Sequence, residues 1–81
     1  MSSNYRSPGD PRLFASALWE YKNANELTQL ELANELGESE GAINAYLHAA
    51  YPPSAGRLFA ICRKIGVDVR TVLIEEWEPL G

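Results

Sequence analysis

The chain has 81 residues, 46% of them hydrophobic, with 11 acidic and 7 basic side chains for a net charge of −4. That length holds one domain whose core is only just adequate, and the apolar content excludes disorder throughout. No apolar run approaches the ~20 residues that span a bilayer, no signal-peptide pattern opens the chain, and a lone Cys62 excludes a disulfide framework or a cysteine-rich zinc site, so the cytoplasm is the expected location.

Met1–Gly9 is polar, lacks periodicity and carries only Arg6 as a charge, which reads as a flexible arm over residues 1–9 ahead of a domain at 10–78 and a tail at 79–81. Asp10-Pro11 marks a helix start, with Asp10 as N-cap and Pro11 at the first helical position, where its missing N–H costs nothing. This helix is predicted to run to about Ala24, with Phe14, Leu18 and Tyr21 as its inward stripe and Ala17 beside them. Trp19 falls off the stripe, as either a flanking lid or part of a contact surface.

The most informative stretch is Thr28–Leu47. Thr28 and Glu31 form a T-x-x-E capping box, and Leu32, Ala33 and Leu36 then recur at helical spacing. Gly37 suits the left-handed end of that helix, and Ser39 caps a third whose apolar side is Ala42, Ile43, Tyr46 and Leu47. A break this short forces the two helices to cross steeply, which is a helix-turn-helix. The small Ala33 lets them approach.

Pro52-Pro53 stops helix propagation. Ser54 is expected to cap a fourth helix with the stripe Leu58, Ile61, Cys62 and Ile65, ended by Gly66. Cys62 is thus a core thiol. Asp68 caps a fifth helix through about Trp77, with Val72 and Leu73 completing the core, while Ile74 and Trp77 have no evident place inside. No strand pattern and no internal repeat is visible. The predicted fold class is all-α, a compact bundle of five short helices.

Taken together, TQLELANELG, SEGAINAYL and ICRKIGVDVRTVL resemble the phage-repressor and Cro family of helix-turn-helix DNA-binding domains, the lambda-repressor-like proteins, over roughly Phe14 to Leu73. The resemblance implies that the third helix enters the major groove of double-stranded operator DNA and that the protein acts as a homodimer on a two-fold site. Position by position, it assigns base-facing roles to Glu40, Gly41, Asn44 and Ala45. Asn44 could pair with an adenine edge, Ala45 with a thymine methyl and Glu40 with a cytosine amino group. Lys22, Gln29, His48, Tyr51 and Arg57 would contact or support the phosphate backbone, and Ile74 and Trp77 would serve the dimer interface.

From Glu26 to His48 the chain nevertheless carries five acids and no lysine or arginine, and Glu38 stands where the family places an apolar residue. Two functions stay open: a DNA-binding transcriptional regulator, or an acidic helix-turn-helix module that binds a protein partner and modulates another regulator, as an antirepressor or antitoxin does. No nucleophile–base pair, phosphate-cradling loop or metal-ligand spacing is present, so neither enzyme activity, cofactor, metal nor small-molecule substrate is expected.

Overall fold

The computed structural model describes residues 8–74. Four α-helices follow in order: α1 (Pro11–Ala24), α2 (Gln29–Leu36), α3 (Glu40–Leu47) and α4 (Ala55–Ile65); a 3-10 turn, Val69–Val72, comes after them. Three of the helix starts are built as the sequence implies. Asp10 accepts from the N–H groups of Arg12 at 2.9 Å and Leu13 at 3.2 Å. Thr28 and Glu31 complete both halves of the capping box, and the Ser39 hydroxyl accepts from Ala42 at 3.1 Å. Ser54 occupies the N-cap position of α4, but its side chain makes no capping bond. The entry to α4 is fixed instead by the two prolines, of which Pro53 is fully buried.

All four helices end alike. The N–H groups of Leu27, Glu38, Ala50 and Val67 each reach five residues back, to Lys22, Ala33, Ala45 and Cys62. Their preceding neighbours, Glu26, Gly37, Ala49 and Gly66, each bond three residues back and adopt left-handed backbone, with φ of 53°, 69°, 57° and 76°. Two glycines are at home there; Glu26 and Ala49 are strained. We expect Ala49→Gly to stabilise the domain by about 0.5–1 kcal/mol net of the extra chain entropy of glycine. A urea unfolding series measures this, and a lower midpoint would show that the Ala49 methyl packs better than the strain costs.

Phe14, Leu18, Leu32, Ile43 and Leu58 are wholly shielded from solvent, with Ala33, Ile61, Cys62 and Val72 nearly so. Phe14 of α1 meets Tyr46 of α3 edge-on, ring centroids 5.7 Å apart at 82°. Ala33 is buried where α2 meets α3, as its size requires. Tyr21 packs against the core as the stripe of α1 predicts, but it is only partly buried and its hydroxyl donates to Glu35 at 2.8 Å. Trp19 is 40% exposed, and its indole N–H donates to the Leu47 carbonyl at 2.9 Å. It is a lid that ties α1 to the end of α3.

The fifth helix is the largest correction to the predicted elements. In its place the 3-10 turn is followed by Leu73 in extended conformation, forming an antiparallel bridge with Gly9. Flanking bonds run from Asp10 N–H to Val72 O and from Ile74 N–H to Pro8 O, both 2.8 Å. Pro8 and Gly9 are buried here, and a Cβ at Gly9 would lie 3.1 Å from Leu58 Cδ2 and 3.2 Å from the Pro52 ring. Val72 is buried and Leu73 partly so, as predicted, and Ile74 is half-buried; Trp77 lies outside the described residues.

Asp68 caps the 3-10 turn by accepting from Arg70 N–H at 3.0 Å, and it pairs with the Arg70 guanidinium at 2.7 Å. These bonds hold its carboxyl well below the ordinary 3.8, at about 2. A depressed carboxyl stabilises the fold above the unfolded pKa and loses that contribution as pH falls through the folded value. Asp68→Asn is therefore expected to be less stable than wild type at neutral pH, with the gap closing between about pH 4 and pH 2. Urea midpoints at stepped pH read the gap, and a constant one would remove Asp68 from the acid transition. The pair is exposed, so the effect is small.

Candidate nucleic-acid interface

Helix α3 buries Ile43, Tyr46 and Leu47 against the core, which turns Glu40, Gly41 and Asn44 outward and leaves Ala45 half-buried at the margin. Three of the four residues expected to face bases thus form one exposed strip, with Ala45 at its edge. The Asn44 carboxamide makes no hydrogen bond among the described residues, so both its donors and its acceptor are open. Gly41 is not required by the fold. A Cβ there would meet nothing within 4 Å, although glycine inside a helix costs about 1 kcal/mol relative to alanine.

Three of the five acids of this region have hydrogen-bond partners within the protein. Glu31 closes the capping box, Glu35 accepts from Tyr21, and Glu38 accepts from Arg57 Nη1 at 2.6 Å. Glu26 sits in the α1–α2 connection. Only Glu40 adds an unpaired carboxylate to the exposed strip of α3.

The expected supporting residues are spread around this strip. Gln29 is half-buried at the first position of α2. His48 is the exposed C-cap of α3, its ring Nδ1 2.8 Å from the Asn44 carbonyl. Tyr51 is exposed and sets its ring edge-on to Tyr46 at 5.9 Å. Lys22 holds its ammonium 5.1 Å from the centre of the Trp19 ring, a cation–π contact beside the carboxyl end of α3. Arg57 is engaged by Glu38 rather than free. Burial raises the Tyr46 hydroxyl pKa, with a further upward push from Glu38. Two residues of the site escaped the sequence reading: Glu38 as the anchor of Arg57, and Trp19 as the tie to Leu47. Position off the apolar stripe was the only trace of Trp19, and an acid at a turn site where the family places an apolar residue was the only trace of Glu38.

Among the described residues no group of three His, Cys, Asp or Glu side chains could hold a metal, and no helix is long and apolar enough to cross a membrane. Burial pushes the Cys62 thiol up, in keeping with a core residue.

The helix-turn-helix family profile matches residues 20–72, more than half of the chain, from the second half of α1 through the 3-10 turn. Among solved structures, the fold is similar to that of the SOS-response transcriptional repressor LexA from Eubacterium rectale, with a TM-score of 0.69 and 21% identity over 89% of this chain and 77% of that one. No curated protein sequence matches significantly.

Proposed function

The chain belongs to the helix-turn-helix family, and from that membership we propose that it is a sequence-specific DNA-binding transcription regulator. The observation that carries this reading is the outward strip of α3, where an unpartnered Asn44 carboxamide stands beside a glycine that the fold does not need. A helix face approached closely by base edges calls for small residues and open amide groups. The pairing of Glu38 with Arg57 supports it further, because a cation offsets this carboxylate and it adds less repulsion toward phosphate than an unpaired acid would.

In this reading Glu40, Gly41, Asn44 and Ala45 face bases, and Lys22, Gln29, His48, Tyr51 and Arg57 contact or support the backbone. The protein would act in the manner of phage repressors and Cro, as a homodimer on a two-fold operator, with Ile74 and Trp77 in the subunit contact. Selection from random double-stranded DNA tests the proposal: a recurring two-fold site with a steep salt dependence is expected, and equal affinity for recovered and random DNA would overturn it. Sedimentation at micromolar concentration, alone and with the site, tests the dimer; a strict monomer in both removes it. The unpaired carboxylate of Glu40 is the observation that favours the second reading, an acidic module bound to a protein partner.

A further inference from the structure

The Glu38–Arg57 pair is asymmetric. Glu38, in the turn between α2 and α3, has a side chain only 6% exposed, whereas that of Arg57 in the first turn of α4 is 60% exposed. A carboxylate so shielded from water is tolerable only when paired, and here one guanidinium nitrogen does the pairing at 2.6 Å. Were neutralisation of Glu38 the whole purpose, the cation would be covered as well. Instead the acid lies inside and presents the cation outward, at the amino end of the strip formed by Glu40, Gly41 and Asn44. Arginine offers its donors in a planar fork, so a nitrogen held by Glu38 orients the others. Lys22, by contrast, lies over Trp19, at the opposite end of α3.

We infer that Glu38 is a positioning residue, holding the Arg57 guanidinium in place to clamp a phosphate of the DNA backbone. This rests on the DNA-binding reading above and reverses the simple electrostatic expectation for one residue. A turn carboxylate near DNA should repel phosphate, so its removal should tighten binding; a carboxylate that orients the clamping arginine should weaken binding when removed. The clamp also gains from preorganisation, because a side chain already held loses less freedom on binding.

The test is equilibrium binding of a selected duplex across a salt series to wild type, Glu38→Ala, Glu38→Gln, Arg57→Ala and the double alanine variant, each first checked for native helicity and melting temperature. Glu38→Ala and Arg57→Ala are each expected to weaken binding about tenfold. Each should also lower the salt slope by about 0.9, the loss of one phosphate contact. The double variant should be no worse than either single one, since both remove the same clamp. Glu38→Gln keeps an acceptor for Arg57 and should recover most of the affinity. Tighter or unchanged binding by Glu38→Ala, with an unchanged slope, overturns the inference. A wild type that binds no recovered duplex removes this inference together with the DNA-binding reading, whereas a binding wild type matched by Glu38→Ala removes the inference alone.

Discussion

Phe14→Ala is expected to destabilise the domain by about 3–5 kcal/mol, the range for removing a buried aromatic side chain and leaving a cavity. Phe14 has no solvent exposure and makes the edge-on contact with Tyr46, so its loss removes core volume and the aromatic bridge from α1 to α3 together. A domain of this size has on the order of 5–10 kcal/mol in total, so the variant would lie near the edge of folding. Its melting temperature should drop by more than about 15 °C. Phe14→Leu keeps most of the volume and should cost less than half as much. Calorimetry decides between them. A loss below about 1 kcal/mol for Phe14→Ala would mean that α1 is not what seats α3.

Asn44→Ala is expected to act in the opposite manner, sparing the fold and losing specificity. The Asn44 side chain is exposed and its carboxamide has no partner among the described residues, so its removal breaks nothing internal. Alanine is the better helix former by up to about 0.7 kcal/mol, and the melting temperature should hold or rise. The ratio of specific to non-specific DNA binding should fall at least about tenfold, corresponding to 1–3 kcal/mol for a bidentate amide contact, while the salt slope stays put because no phosphate contact is lost. Competition binding with random duplex measures the ratio. An unchanged ratio would take Asn44 out of the base-reading set, and a changed slope would reassign it to the backbone.

Much of the architecture was readable along the chain. Asp10-Pro11, the Thr28/Glu31 box, Ser39 and the two ending glycines Gly37 and Gly66 mark helix limits that the structure keeps, and the apolar stripes of α2, α3 and α4 are the buried ones. Ser54 sits at its predicted place without its predicted bond, because residue type sets where a cap can be but not how its hydroxyl points. Glu26 and Ala49 ended helices with no glycine to announce them; the hydrogen-bond pair that closes a helix end outweighed the strain of a left-handed residue. The fifth helix failed for a related reason. Asp68 is the N-cap there as expected, but of a 3-10 turn, and Leu73 is drawn into pairing with Gly9, which cannot be combined with helical backbone at the same residue.

By itself, the sequence determined the helix-turn-helix, because its signals are short-range: each cap, box and ending bond joins residues within five positions, where chain entropy is small and residue type decides. The exposed strip Glu40, Gly41 and Asn44 followed from the same periodicity. Only the tertiary structure decided where the charges and aromatic tips went. Arg57 reaches Glu38 across 19 residues, Tyr21 reaches Glu35 across 14, and Trp19 reaches Leu47 across 28. Such pairings depend on the angle and distance at which helices pack, which no local pattern encodes. For that reason the chain shows Glu31 as half of a capping box, but only the folded protein shows Glu35 meeting Tyr21 and Glu38 meeting the cation of Arg57.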